Sequence, residues 1–293
     1  MNDIDVIIVG GGPAGLQAAL TLGRARRQVW LFDAGPRRNA RAVEMHNFLT
    51  RDGTPPQKVR DLGHEELARY STVTIRDEAV TALARDGERF VATSPSGTVR
   101  ARGVILATGM IDQMLPIEGF AELWGHGIVQ CPYCHGFEQA DQRFGILISM
   151  PMQLEMALLL RTWTADITAF VADVEVEPAM QARLTAAGVK VERRAVRRVA
   201  GGGHIERVEV EGGAVPIDLL FAKPPQSQVP LVMSIAGLDF DEMGFVKVDA
   251  RGQTSIPRLM AAGDLASPLQ AAIAGAAAGM AAAAVLNHSL AGH

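Results

Sequence analysis

The sequence predicts an α/β chain of two Rossmann-like domains of three-layer ββα architecture, the second inserted in the first. Three observations carry that prediction. A strand, a glycine-rich turn and a helix open the chain in "DVIIVGGGPAGLQAALTLGRARRQVWLFDAG". A second amphipathic helix with flanking strands lies in mid-chain, in "FGILISMPMQLEMALLLRTWTADITAF". Two proline-bearing crossings, "DQMLP" and "FAKPPQSQVP", bracket the region that holds it. On these boundaries the first domain is discontinuous, residues 1–114 with 224–293, and residues 115–223 form the inserted one. A chain of 293 residues has room for both, at roughly 150 residues per domain.

The first element is a short apolar run, too short for a helix, that ends in glycine; apolar residues at helical spacing then resume with Leu16, Ala19 and Leu20. Gly10, Gly12 and Gly15, with Pro13 and Ala14 between them, fit G-x-G-x-x-G at the point where a strand gives way to a helix. Gly10 permits the tight turn, Gly12 lets backbone approach a pyrophosphate, and Gly15 lets helix and strand pack closely. The helix N-terminus offers free N–H groups and a positive dipole end to the phosphates. The next strand, "QVWLF", ends at Asp33, about twenty residues on, where an acid accepts ribose hydroxyls. The first domain is therefore read as dinucleotide-binding.

Composition excludes several classes. With 28 Lys and Arg against 32 Asp and Glu, the net charge of −4 offers no basic field for a nucleic-acid backbone. The start, "MNDIDVIIVGGG", carries two acids where a signal peptide needs basic residues, which points to a cytoplasmic protein. The longest uncharged stretch, Leu269 to Leu286, is mostly Ala and Gly and reads as a buried helix packed through small residues, not as a membrane span.

Both cysteines lie in "CPYCHGFE", at Cys131 and Cys134, with His135 directly behind. Two cysteines three positions apart in a cytosolic chain indicate redox or metal chemistry rather than a structural framework. Such a pair can close a small disulfide ring, and the first turn of a helix favours the thiolate. His135 has the right chemistry to take a proton from an incoming thiol and return it to a leaving thiolate. Three other readings attach to these residues: haem attachment through C-x-x-C-H, a zinc site with His126, and an inert reduced pair. No second CxxC or HxxxH completes a usual zinc spacing, so no metal is expected.

Further motifs fall in a telling order. "ARGVILATGM" is a strand ending in Thr108 and Gly109, and "LMAAGDLASPLQAAIAG" places Gly263 and Asp264 before the last helix, which starts near Gln270 and Ala271. Together they resemble the signatures of flavoproteins with two dinucleotide folds, and the resemblance implies FAD. On it, Asp264 contacts the ribityl and phosphate region, and the helix starting near Gln270 and Ala271 points at the flavin pyrimidine.

With the CxxC at the start of the inserted domain, nearly the whole chain resembles the low-molecular-weight thioredoxin reductases, FAD-dependent disulfide oxidoreductases that form homodimers. The resemblance implies that Cys134 is the sulfur nearer the flavin and that Cys131 exchanges with substrate. It also implies that the segment "RRNARAVEMHNFLTRDG" wraps FAD and shapes the substrate entrance, with Asn39, His46 and Asn47 as candidates. The residue after the second cysteine is commonly Asp in that family and is His135 here. "CPYCHG" looks most like the branch that oxidises small dithiols, including gliotoxin, holomycin and romidepsin precursors.

The family's NADPH site is altered. Where a second G-x-G-x-x-A belongs, this chain has Ile148, Met150 and Gln153, whose side chains obstruct a pyrophosphate. From Thr164 to Ala182 there is no Lys or Arg to meet a 2′-phosphate, while Asp166, Asp173, Glu175 and Glu177 are acidic. The expected electron flow is thus reversed: a small-molecule dithiol reduces the cysteine pair, the pair reduces FAD, and O2 reoxidises FAD to give hydrogen peroxide. The alternatives are an NAD(P)H-dependent disulfide reductase with a rebuilt loop, a reductase fed by ferredoxin or another flavin donor, and a non-enzymatic flavin redox sensor.

Overall fold

The computed structural model describes residues 2–35 and 38–291, which divide by their contacts into two units. The first comprises residues 1–40, 55–112 and 226–293, and the second residues 41–54 and 113–225. Residues 41–54, within the first segment of the sequence-based division, thus cluster with the second unit.

In the first unit, β1 (Asn2–Val9) is buried on both faces. Val6 and Ile8 join one apolar cluster, while Ile7 and Val9 join the other. Successive strand side chains point to opposite faces, so a central parallel strand reads as an unbroken apolar run. After β1 come α1 (Pro13–Arg24), β2 (Val29–Phe32), α2 (Pro56–Leu67), β3 (Val73–Arg76), and an antiparallel ribbon of β4 (Ala82–Asp86) and β5 (Arg89–Ser94) leading into β6 (Gly97–Leu106). The order is β3-β2-β1-β6, with β3, β2, β1 and β6 parallel. The long β6 pairs with β5 through its first half and, through Val104–Leu106, with the C-terminal strand Leu259–Ala261.

The C-terminal helix Ala272–Ala291 is, among the described residues, the one helix long and apolar enough to cross a membrane by length and composition. Its Ala282, Ala283, Leu286 and Leu290 share a core cluster with Ala18, Ala19 and Leu22 of α1. The approach is close because it is made by small residues: a Cβ at Gly279 would overlap the Ala14 carbonyl. Leu286 is fully buried there.

A strand β7 (Ile111–Asp112) pairs antiparallel with Gln226–Ser227, so the two chain crossings run side by side. Beyond it the second unit contains α3 (Phe120–Leu123), β8 (Ile128–Val129), α4 (Pro132–His135), β9 (Phe144–Leu147), α5 (Leu154–Leu159), β10 (Ile167–Phe170), α6 (Pro178–Ala186) and β11 (Lys190–Glu192). A three-stranded antiparallel sheet, β12 (Val196–Ala200), β13 (Arg207–Val210) and β14 (Gly213–Pro216), precedes β15 (Leu219–Phe221). The parallel sheet runs β11-β10-β9-β15-β8. Its core, β11-β10-β9-β15, repeats the β3-β2-β1-β6 order of the first unit, so each unit is a parallel sheet with helices and an antiparallel β-layer. The expected pair of three-layer Rossmann-like folds is what the chain adopts.

Candidate dinucleotide and redox sites

The turn from β1 to α1 is built around what a side chain would strike. Gly10 has φ +113°, and a Cβ there would run into the Ala107 carbonyl. At Gly15 a Cβ would overlap the Gly10 carbonyl, whereas one at Gly12 would meet nothing within 4 Å. Gly10 and Gly15 are thus required by the protein's own packing, and Gly12 keeps an open face. No side chain caps the start of α1, which leaves its first N–H groups for a ligand.

Three motifs distant in the chain meet at this turn. Ala107, beside Thr108 and Gly109, supplies the carbonyl against Gly10 and a methyl 3.4 Å from the Gly15 Cβ position. Gly263 has φ +94°, and its Cβ position lies 3.2 Å from the Ala14 methyl. Thr108 Oγ1 is buried with no hydrogen-bond partner among the described residues, a hydroxyl that a bound group would satisfy. An open glycine face, an uncapped helix start and an orphaned hydroxyl fit a dinucleotide; on the flavoprotein resemblance these residues would hold FAD.

Asp33 directly follows β2 and lies against Gly11, where a Cβ would overlap its carboxylate, and is 3% exposed. Its Oδ1 accepts the Gly35 N–H at 3.2 Å, and its Oδ2 accepts Arg60 Nε at 2.8 Å. Arg60 comes from α2 and carried no sequence signal, since nothing in the spacing of α2 shows which side chain returns to the glycine turn.

Asp264 and Gln270 belong to a polar cluster around Arg38. The guanidinium binds Asp112 through two bonds of 2.7 and 2.8 Å, reaches Gln270 Oε1 at 2.5 Å and lies 3.3 Å from Asp264 Oδ2. Gln226 Nε2 donates to Asp112 at 2.9 Å, and Gln270 Nε2 donates to Gln226 at 2.7 Å. Burial pushes the Asp264 carboxyl above its ordinary value, Arg38 opposes the shift and Asp112 adds to it. Ala271 accepts the Gly275 N–H at 2.9 Å, just before the C-terminal helix. Sequence reasoning placed Arg38 in a segment that wraps FAD but missed Asp112 and Gln226, because pairing across the two crossings brings those two together.

In the second unit, Cys131 precedes α4 and forms a disulfide with Cys134, whose N–H donates to the Cys131 carbonyl at 3.2 Å. Pro132 occupies the first helical position, where a missing N–H costs nothing. Trp163 supports the turn: its ring is 5.5 Å from the Tyr133 ring, edge-on, and it lies 3.1 Å from where a Gly136 Cβ would be. Tyr133 and Phe137 are exposed on either side.

Burial lowers the His135 pKa from the ordinary histidine value; the Cys131 backbone and Glu138 oppose this, and His46 reinforces it. The ring is therefore held in the neutral form that accepts protons, beside the disulfide. His46 lies 3.5 Å from Glu138, placing the loop 41–54 against this turn. Asn47 shares that loop, with φ +60° and its N–H donating to Asp52 Oδ1 at 2.7 Å, and so belongs to the second unit rather than to the glycine-turn cluster. Asn39 remains in the first unit. Among the described residues no group of three or more His, Cys, Asp or Glu side chains could hold a metal ion.

The β9–α5 turn corresponds in topology to the β1–α1 turn but is filled from within. Gln153 Oε1 accepts the Ser149 N–H at 2.7 Å and the Ser149 hydroxyl at 3.2 Å, and Ile148 is buried in the core. The Gln153 side chain thus folds back into the turn and occupies it. Asp173, Glu175 and Glu177 are exposed, whereas the charge of Asp166 is met by Lys190 at 2.7 Å.

Two dinucleotide folds and a two-residue-spaced redox disulfide define a class of flavin-linked disulfide oxidoreductase. The chain belongs to the pyridine nucleotide-disulphide oxidoreductase family, whose model matches residues 4–283. It is 33% identical over 278 residues to a thioredoxin reductase, tcpT, of Claviceps purpurea, covering 90% of this chain and 87% of that protein. To the thioredoxin reductase sirT of Leptosphaeria maculans it is 32% identical over 305 residues, covering 97% and 93%. A probable thioredoxin reductase of Arthroderma benhamiae is 38% identical over 178 residues, 58% of this chain and 44% of that protein's length. Among solved structures, that of HlmI superposes with a TM-score of 0.93 at 34% identity, covering 99% of this chain and 93% of that one. The chain is accordingly an enzyme, a thioredoxin reductase-like, FAD-type disulfide oxidoreductase.

Proposed function

We propose that the enzyme oxidises a small-molecule dithiol to its disulfide through Cys131 and Cys134, with O2 as final acceptor and hydrogen peroxide as product. The observation that carries this reading is the β9–α5 turn: Ile148, Met150 and Gln153 stand where a nucleotide turn has small residues, and the Gln153 side chain folds back onto Ser149. In this reading residues 1–114 and 224–293 bind FAD, through Gly10, Gly12, Pro13, Ala14, Gly15, Asp33, Thr108, Gly109, Gly263, Asp264, Gln270 and Ala271. Residues 115–223 carry the disulfide. The protein works in the cytoplasm as a homodimer.

The chain's own residues perform the thiol chemistry. A substrate thiolate attacks Cys131, the Cys131–Cys134 bond breaks, and Cys134 leaves as a thiolate. His135, kept neutral by burial, takes the proton of each substrate thiol. The second substrate sulfur displaces Cys131 and closes the product disulfide. FAD, when bound by the first-unit residues named above, would supply a two-electron acceptor for the reduced pair that O2 can reoxidise. The names of the relatives favour a second reading, reduction of a disulfide at the expense of NADPH.

Oxygen uptake separates the two. With a small dithiol in air, the proposal expects one O2 consumed and one peroxide formed per disulfide. NADPH consumption driven by an added disulfide, with no dithiol-dependent oxygen uptake, would contradict it.

A further inference from the structure

The redox turn carries the exposed aromatic surface of the chain. Among the described residues, which include all ten Phe, three Trp and two Tyr, only Tyr133 and Phe137 are exposed aromatics, at 61% and 82%. Both lie within three residues of Cys134, and Tyr133 stands between the two half-buried cysteines. Aromatic side chains carry the largest apolar surfaces, so two of them left in water at one reactive turn mark a surface for a ligand to cover.

The Tyr133 ring is held in place. Trp163 meets it edge-on at 5.5 Å, and the same indole lies 3.1 Å from the Gly136 Cβ position, while the Trp163 carbonyl accepts the Asp141 N–H at 2.9 Å. A ring fixed before binding loses little freedom on binding. The loop 41–54, which reaches this turn where His46 lies 3.5 Å from Glu138, adds the exposed aliphatic side chains Val43 and Leu49.

Charge narrows what can lie there. Residues 131–142 include Glu138 and Asp141 and no Lys or Arg. On the loop, Glu44 and Asp52 lie 3.5 and 3.6 Å from His46, whereas Arg41 and Arg51 donate to the backbone carbonyls of Ala121 and Thr50. A thiol that carries a carboxylate therefore meets charges of its own sign.

We infer that the substrate is an uncharged dithiol with a flat apolar body, which rests on Tyr133 and Phe137 while its sulfur reaches Cys131. Tyr133 and Phe137 then set specificity, and Trp163 positions Tyr133. This inference rests on the dithiol-oxidation reading of the site and adds the class of substrate to it.

Two dithiols that close disulfide rings of the same size separate the body from the chemistry. Dithiothreitol carries hydroxyls on its backbone, and ortho-benzenedimethanethiol carries a benzene ring. The holoenzyme, Tyr133→Ala and Phe137→Ala are mixed anaerobically with each at equal thiolate concentration, quenched and alkylated, and the newly reduced Cys131 and Cys134 are counted by mass. The readout is the ratio of the two rate constants, since a turn that has merely shifted slows both dithiols alike. Wild type should favour the aromatic dithiol by about tenfold, and each alanine variant should lower that ratio by roughly threefold. Tyr133→Phe should keep the wild-type ratio. Dihydrolipoamide should outpace dihydrolipoate, the same dithiol with a carboxylate, by roughly threefold at low salt, and added salt should narrow the gap.

A wild-type ratio near unity, a ratio that both alanine variants leave unchanged, or a faster reaction with dihydrolipoate would overturn the inference. So would reduced thioredoxin, a protein dithiol, outpacing every small one. If one alanine variant fails to fold, the other decides by the same ratio. A wild-type disulfide that no dithiol reduces would instead contradict the dithiol-oxidation reading itself.

Discussion

The β1–α1 and β9–α5 turns are the same joint made twice, each in a parallel sheet of the same strand order, and they have opposite contents. The first is hollow: Gly12 faces open space and no side chain caps α1. The second is full: Ile148, Met150 and Gln153 bring side chains to the glycine positions, and the Gln153 amide oxygen accepts the Ser149 N–H. Keeping the fold therefore does not keep the site. A strand and helix pack through their apolar faces whatever the turn between them holds, while a pyrophosphate needs free N–H groups and the absence of a Cβ.

Breaking the hollow turn should have the largest effect. Gly10→Ala puts a methyl into the Ala107 carbonyl at a φ that L residues avoid, so the purified variant should carry no flavin absorbance and FAD affinity should fall by roughly a hundredfold or more. Breaking the redox pair should spare the cofactor. Cys131→Ser should lower dithiol oxidation by roughly a thousandfold or more while the protein stays yellow; retained oxidation would contradict the exchange role of Cys131.

His135→Gln tests the base between these extremes. The folded-state pKa of His135 lies below its unfolded value, so the neutral base is present above that lowered pKa and is lost as pH falls through it. Activity should drop by roughly a hundredfold, and the acid limb of the wild-type pH–rate profile should disappear. The same shift means that the unfolded chain binds the proton more readily, so His135 favours folding above the ordinary histidine range and that contribution is lost on acidification. The smallest effect sharpens the comparison from the other side. Gln153→Gly clears the turn, and the weak affinity for NADPH, read by equilibrium binding, should rise by a few-fold, on the order of 1 kcal/mol.

Legibility in the sequence followed locality. Gly10, Gly12 and Gly15 announce their turn because strand, glycine and helix are contiguous, and Cys131, Cys134 and His135 announce theirs by spacing. Thr108 and Gly263 were legible as motifs, but their meeting at Ala14 and Gly10 is a consequence of the sheet order. Arg60 on Asp33, Arg38 between Asp112 and Asp264, and His46 on Glu138 were not legible as partners. Each is a long side chain returning from a distant loop or helix, and no periodicity encodes where such a chain lands. The replacement of glycine by Ile148, Met150 and Gln153 was visible in the sequence; that Gln153 seals the turn with its own amide oxygen required the structure.

The most direct test is an anaerobic titration of the oxidised flavin, followed by its visible absorbance, with NADPH, NADH and a small dithiol added in turn. The account predicts that neither nicotinamide bleaches the flavin, that the dithiol does, and that air restores the colour with release of peroxide. Prompt bleaching by NADPH would mean that the β9–α5 turn admits a nucleotide despite Gln153, and it would contradict the account.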